Sequence, residues 1–134
     1  MRPTERDVAV LRWLGEMYGA PLDVVSQLYG TGDRVTRRHA ARLARAGFAS
    51  RQLAPAGVWL VPTLRGLRYA GLDYDTWALV GWKAEHLAAV CRLRLALEAA
   101  YPDGRWTSER AVRAEWHGTG ARVPHPRRGP GRRR

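Results

Sequence analysis

The change of hydrophobic period at Gly47 constrains the fold more than any other feature of this sequence. Before Gly47, apolar residues recur at helical spacing in three short segments that are separated by glycine-containing breaks. After it, residues 48–53 and 58–61 form two short strand-like runs around the turn sequence Ala-Pro-Ala-Gly. Since a helical period does not suit a strand, we predict three helices followed by a β-hairpin.

Capping residues and helix breakers set the bounds of the predicted helices. Thr4 and Asp7 form a capping-box variant at the start of the first helix. The segment from Gly30 to Gly32 cannot easily continue the second helix and predicts a turn, after which Asp33 is expected to be the N-cap of the third. We predict helices over residues 5–18, 21–29, 34–46, 63–71 and 83–100, and a strand or short helix over 105–113. The fold class is therefore mainly α with a small β-hairpin.

The charge of the chain indicates a polyanionic partner. Its 134 residues include 23 Lys+Arg and 12 Asp+Glu, which gives a formal net charge of +11, and Lys83 is the only lysine. Such an excess is typical of proteins that bind nucleic acid, acidic proteins or anionic membranes. The membrane is the least favoured of these, because we find no basic amphipathic helix with an exposed aromatic face. The sequence also lacks an apolar run of about 18 residues, which a transmembrane helix needs.

The remaining composition excludes some kinds of site. Cys91 is the only cysteine, so there can be no intramolecular disulfide and no structural zinc site built on cysteine pairs. The histidines have no metal-ligand spacing, and we predict no metal, no cofactor and no small-molecule substrate. The N-terminus lacks the apolar core of a signal peptide, so we expect a soluble, cytoplasmic protein that associates with the nucleoid.

The third predicted helix carries the main candidate site. Its arginines recur three and four residues apart, so they share one broad face, and no acidic residue lies among them. An arginine can pair with phosphate or read guanine in the major groove, and the N-terminal end of a recognition helix reaches deepest. We predict that bases are read by Arg34, Thr36, Arg37 and Arg38, with His39 beside them. Arg42 and Arg45 are predicted to contact phosphate; the alternative is that the whole face is only solvated.

Two further basic segments are predicted to add affinity without sequence preference. In the hairpin, Arg51 is expected to contact phosphate, whereas the short, uncharged tip has no arginine for the minor groove. The last residues are rich in Pro, Gly and Arg and lack apolar periodicity, so we predict a disordered tail over 117–134. Its candidate contacts, which act through counterion release, are Arg127, Arg128, Arg132, Arg133 and Arg134. The alternative is a tail that only solubilises the chain.

Short motifs make the first half resemble a winged helix-turn-helix module. They are the segments from Thr4 to Leu11, from Leu43 to Phe48 and from Trp59 to Gly66. Two more follow: a His-Leu-x-x-Val-x-x-Leu-Arg-x-x-Leu-Glu helix from His86 and a Trp-Thr-Ser-Glu-Arg segment from Trp106. With these, the chain resembles the replication-relaxation family of actinobacterial plasmids and mobile elements, with a shortened C-terminal part. The resemblance implies a DNA-associated protein.

Beyond the winged module over residues 1–72, the segment over 73–116 is predicted to serve dimerisation or to cover the module. The apolar content of the helix over 83–100 exceeds what a helix with one solvent-exposed face needs. We therefore predict a homodimer. Its seam is predicted to consist of Leu87, Val90, Leu93 and Leu97. The alternative is that this helix is an intramolecular lid.

The function that we predict is sequence-preferring binding of double-stranded DNA, in the regulation of transcription or of plasmid or mobile-element replication, and not catalysis. One alternative is a protein-interaction module whose basic tail binds nucleic acid nonspecifically. Another is a degenerate nuclease, for which Glu98, Asp103 and Glu109 would have to converge on a magnesium ion. The six tryptophans can stack single-stranded bases, but their apolar-periodic positions favour packing in the core or an interface.

Overall fold

A computed structural model describes residues 1–55 and 57–119 of the chain. Its helices are α1 (Glu5–Glu16), α2 (Leu22–Tyr29), α3 (Asp33–Arg45), α4 (Leu64–Tyr69), α5 (Gly81–Ala100) and α6 (Glu109–Thr119). Its strands are β1 (Ala20–Pro21), β2 (Ala49–Ala54) and β3 (Gly57–Pro62). The fold is mainly helical with a small antiparallel sheet. The order of three helices, a hairpin and a helix is the predicted one, and it confirms the mainly α class with a small β-hairpin.

The sheet has three strands in the order β1–β3–β2, and both pairings are antiparallel. The hairpin of β2 and β3 is the predicted one, with Ala54 opposite Gly57 at its turn. The sequence does not predict β1, because two residues are too few to carry a period. Ala20 pairs with Leu60 and thereby brings the chain between α1 and α2 to the edge of the sheet.

The helix ends follow the predicted caps with one exception. At the start of α1, the Thr4 hydroxyl accepts from the Asp7 backbone N–H at 3.1 Å, and the Asp7 carboxylate accepts from the Thr4 N–H at 2.8 Å. Gly30 ends α2 with a φ of 70°, in the left-handed region that glycine adopts at little cost. Asp33 is not the N-cap of α3, since Gly32 takes that position and Asp33 is the first helical residue.

The Thr-x-x-Gly motif attaches α4 to the end of α3. The Thr63 hydroxyl donates to the Gly47 carbonyl at 2.6 Å and accepts from the Gly66 N–H at 3.1 Å. Gly66 packs so closely on the Phe48 carbonyl that a Cβ atom would overlap it. A capping hydroxyl and a residue without a side chain are therefore both required here.

The main core lies between α1, α2, α3 and the sheet. Its fully buried members include Leu11, Leu14, Val24, Leu43 and Leu60. One face of α5 is buried: Cys91 packs in this core, and Ala84 and Ala88 pack in a second, smaller cluster with Trp59. The segment predicted as a strand or short helix is a helix, α6. In the part of the chain that the structure describes, no helix is long and apolar enough to cross a bilayer.

Two buried arginines attach the second half of the chain to α1. Arg94 of α5 pairs with Glu16 at 3.0 Å. Arg110 of α6 donates to the Gly15 carbonyl at 3.2 Å, and its guanidinium lies between the rings of Tyr18 and Tyr74, each 4.7 Å away. Both side chains act in packing, so the net charge overstates the number of arginines that a partner can reach.

Candidate nucleic-acid interface

The solvent face of α3 carries three arginines, Arg34, Arg38 and Arg45, which we name the outer arginine face. They lie four and seven residues apart, opposite the buried Leu43, and all three are exposed. Among the residues that the structure describes, the ion pairs of α3 are formed by its other arginines. The three guanidinium groups therefore keep their full charge and their hydrogen-bond donors for a partner.

Two more arginines border a shallow cavity between α3 and the hairpin. The cavity has a volume of about 320 Å³, and both Arg37 and Arg51 line it. Arg51 is exposed. The Nε atom of Arg37 lies 3.0 Å from the carboxylate of Asp33, one helical turn earlier, and both side chains are largely exposed. The basic surface therefore extends from the outer arginine face toward the hairpin, with Arg37 partly neutralised.

Arg42, which the sequence predicts as a phosphate contact, is less available than these arginines, because its side chain is 31% exposed and pairs with Asp7. Its guanidinium donates two hydrogen bonds, of 2.8 and 3.0 Å, to the carboxylate of Asp7. Asp7 is fully buried, and the hydroxyl of Tyr29 donates to the same carboxylate at 2.7 Å. We name this set, Asp7, Tyr29 and Arg42, the Asp7 network. It joins α1, α2 and α3 behind the outer arginine face.

The Asp7 network holds its carboxylate ionised. Burial alone raises the pKa of Asp7, but the hydrogen bonds from Arg42, the Thr4 N–H and Tyr29 outweigh burial and hold the pKa well below its ordinary value of 3.8. Burial and the hydrogen bond to Asp7 raise the pKa of Tyr29 above its ordinary value. At neutral pH the charge of Arg42 is therefore compensated by a fixed carboxylate.

Thr36 is a structural residue, and its prediction as a base-reading residue is wrong. Only 1% of it is exposed. Its hydroxyl lies 2.8 Å from the hydroxyl of Ser26 and 2.7 Å from that of Thr31. These hydrogen bonds connect α2, the turn after it and α3, so the buried Thr36 hydroxyl is engaged within the fold and is not presented to a base edge.

His39 lies at the border between the Asp7 network and solvent. Its ring stacks on that of Tyr29 with a centroid distance of 4.2 Å, and its Nδ1 atom lies 3.0 Å from Nη2 of Arg42. Partial burial, followed by the charge of Arg42, lowers the pKa of His39 below 6.5. The residue predicted to stand beside the base-reading set is thus a half-buried neutral imidazole that packs against the network.

The four residues predicted as a dimer seam fall on two different faces of α5. Leu87 packs with the cluster around Trp59, and Val90 packs against the main core. Leu93 and Leu97 are 52% and 38% exposed. The inner pair packs against the rest of the chain while the outer pair is exposed, so the four residues do not share one solvent-exposed face.

Two of the three acidic residues of the nuclease alternative form other contacts, and the third, Asp103, is exposed. Glu98 accepts a hydrogen bond from Nε1 of Trp13 at 3.0 Å and pairs with Arg94. Glu109 pairs with Arg113 on its own helix. Within residues 1–55 and 57–119, no group of three His, Cys, Asp or Glu side chains is placed to hold a metal ion.

The remaining candidates are the cysteine, the tryptophans and the arginines of the predicted tail. Cys91 is fully buried, and burial raises its pKa to about 12. Trp13 and Trp59 are buried as predicted, whereas Trp82 is 80% exposed. The predicted tail contacts lie outside the described residues: Arg127, Arg128, Arg132, Arg133 and Arg134.

Comparison with known proteins adds no relative. No protein-family model matches the chain, and no curated protein and no solved structure is significantly similar to it. The resemblance to the replication-relaxation family therefore stays a prediction from sequence motifs.

Proposed function

We propose that the protein binds double-stranded DNA, with the outer arginine face of α3 in the major groove. The observation that carries this proposal is the exposure of Arg34, Arg38 and Arg45 on one helix face, while the ion pairs of α3 in the described residues involve other arginines. A free guanidinium suits both the phosphate oxygens and the major-groove edge of guanine. The buried Leu43 and Thr36 fix the helix from behind, so its outer face is preorganised.

The position of each arginine along α3 supports a division of roles. Arg34 and Arg38 lie in the first half of the helix, the half that reaches deepest in helix-turn-helix proteins. They are about 6 Å apart along the axis, close to two base steps of about 3.4 Å. We assign base reading to these two and phosphate contacts to Arg45. Arg37 and Arg51, beside the hairpin, are assigned to the neighbouring backbone.

The cellular role that we propose is regulation of transcription or of plasmid or mobile-element replication. It rests on the sequence resemblance to the replication-relaxation family together with the proposed DNA contact. The arginines of the tail are proposed to add a salt-sensitive, sequence-independent share of the affinity.

The experiment has two stages. The full-length protein first selects duplexes from a random-sequence library, and fluorescence anisotropy then measures its affinity for an enriched duplex and for a shuffled one across salt concentrations. We expect Arg34→Ala/Arg38→Ala to reduce the ratio of the two affinities by about tenfold or more, because a bidentate contact to guanine contributes about 1–3 kcal/mol of discrimination.

The matched control is Arg2→Ala/Arg105→Ala, which removes two charges from exposed positions outside α3. We expect it to preserve the affinity ratio. Failure of the wild-type protein to enrich any sequence would sink the proposal. So would an equal loss of discrimination in both double variants, since that would show an effect of net charge alone.

A further inference from the structure

The face of α5 that points away from the core is apolar and uncovered in the described part of the chain. Trp82 is 80% exposed and Leu93 is 52% exposed, and three alanines along the same side are exposed too. The spacing on this side is alternately four and three residues, the repeat of a coiled-coil seam. We name the set the α5 stripe; it consists of Trp82, His86, Ala89, Leu93, Ala96 and Ala100.

The stripe is available without any unfolding of the protein. The opposite side of α5 is occupied, because Ala84, Ala88 and Cys91 are buried against the rest of the chain. A helix that is apolar on both sides needs a second partner for the side that its own core does not cover. The small residues matter as well, since alanines let two helices approach closely.

Side-chain sizes along the stripe fit a second copy in the antiparallel orientation. With a twofold axis at the level of Cys91, Leu93 of one copy lies opposite Ala89 of the other. In the same arrangement Trp82 lies opposite Ala100, and His86 lies opposite Ala96. Every layer then pairs a large residue with a small one, which is the pattern of a well-filled interface.

A parallel arrangement in register does not fit in this way. It would place Trp82 against Trp82 and Ala100 against Ala100, so that one end is overfilled and the other is empty. The antiparallel orientation also sets the two helix dipoles antiparallel side by side, which is favourable. The size pattern therefore selects one orientation of a second copy.

Charged residues border the stripe but bring their own partners or cover its edge. Lys83 lies over the ring of Trp82 at 5.1 Å, and Glu109 and Arg113, which share a cavity with Trp82 and His86, pair with each other at 2.6 Å. None of the six residues of the stripe is Asp, Glu, Lys or Arg.

Arg92 lies to one side of the stripe near the twofold axis, where two copies would approach each other. Its guanidinium donates to Asp23 at 3.0 and 3.1 Å, so each Arg92 brings its own counter-charge.

We propose that a second copy of this chain docks antiparallel on the α5 stripe and forms a twofold-symmetric homodimer. The helix has 20 residues and is about 30 Å long, so the contact is at the small end of specific interfaces. We therefore expect a dissociation constant of roughly micromolar order. The inference stands on α5 alone and does not depend on DNA binding by α3.

Sedimentation equilibrium of the full-length protein tests the pairing of sizes. We expect a concentration-dependent dimer, and Leu93→Ala should weaken it by about tenfold or more because it empties one layer on each side. The double variant Ala89→Leu/Leu93→Ala exchanges the large and the small residue and should restore the dimer. Leu53→Ala, at a hairpin leucine that is 83% exposed, is the control and should leave the dimer unchanged.

Cysteine cross-linking tests the orientation. A mixture of Ala89→Cys and Leu93→Cys chains should form the mixed disulfide, while Ala89→Cys alone should cross-link poorly. Cys91 does not interfere, because it is fully buried. A monomer at every concentration, a double variant as weak as Leu93→Ala, or efficient cross-linking of Ala89→Cys to itself would each overturn the proposal.

Discussion

Two groups of arginines on α3 have opposite surroundings. Both terminal nitrogens of Arg42 donate hydrogen bonds to the buried carboxylate of Asp7 on α1. By contrast, Arg34, Arg38 and Arg45 face solvent. They share one helix and one residue type, and the sequence places all of them in a single basic stretch. What separates them is the contact that α3 makes with α1.

The arginines of α3 therefore have two roles: one stabilises the fold, and the others are available to a ligand. A guanidinium with a fixed carboxylate joins elements of the fold and has little left for a ligand, because its charge is compensated. A guanidinium that lacks such a partner and faces solvent contributes almost nothing to stability and keeps its charge for a polyanion. Stability and DNA affinity should therefore respond to different substitutions on α3.

The largest effect is expected from Asp7→Asn. The substitution keeps the shape of the side chain but removes the charge that compensates Arg42, and disrupting a buried ion pair in this way costs about 3 kcal/mol or more. Urea unfolding monitored by tryptophan fluorescence measures the loss. Arg38→Ala is the control on the same helix and should change the free energy of unfolding by less than about 0.5 kcal/mol.

Acid titration examines the same network. Because the folded-state pKa of Asp7 lies below its ordinary value of 3.8, its contribution to stability is complete above that value and disappears as the pH falls through the folded-state pKa. The unfolding free energy of the wild type should therefore fall more steeply between about pH 5 and pH 2 than that of Asp7→Asn. Parallel curves would mean that Asp7 does not hold Arg42.

The order of helices and strands could be predicted from the sequence, because the residues that begin and end these elements act locally. The capping box at Thr4, the left-handed Gly30 and the Thr63 cap on the Gly66 N–H each act within a few residues. Such signals state where helices begin and end, and they located α3 and the hairpin. They predicted the position of the candidate site, though not which of its members are free.

The ion pairs of the buried charged residues could not be predicted from the sequence, because they join residues that are far apart in the chain. Asp7 and Arg42 are 35 positions apart, and no local pattern pairs them; the same holds for Arg94 and Glu16. The division of the predicted α5 seam was out of reach for a related reason. The packing of α5 on the rest of the chain decides which of its residues are exposed, and it covers Leu87 and Val90 while Leu93 stays exposed.

An intermediate effect is expected from Thr36→Val. The variant keeps the volume of the side chain but removes the hydroxyl that bonds Ser26 and Thr31, which should cost about 1 kcal/mol of unfolding free energy. The affinity ratio between enriched and shuffled duplexes should not change. Thr36→Ser, which keeps the hydroxyl, is the control. Unchanged stability with lost discrimination would return Thr36 to the base-reading set.

The smallest effect is expected at Arg37, the exposed arginine of α3 whose charge is partly neutralised. Its partner Asp33 is on the surface, with the two side chains 59% and 75% exposed, so Asp33→Asn should cost only about 0.3 kcal/mol of stability. The same substitution turns a partly neutralised arginine into a free one. Its affinity for the enriched duplex should therefore rise by about two- to fivefold.

Asp73→Asn separates release of Arg37 from the change in net charge. Asp73 is fully exposed and lies 3.7 Å from Arg68, away from α3, so its substitution removes the same negative charge without freeing an arginine of the candidate site. A larger gain for Asp33→Asn than for Asp73→Asn assigns Arg37 to the DNA contact. Equal gains would confine the contact to arginines that the fold leaves free from the start, because α3 would then respond to total charge alone.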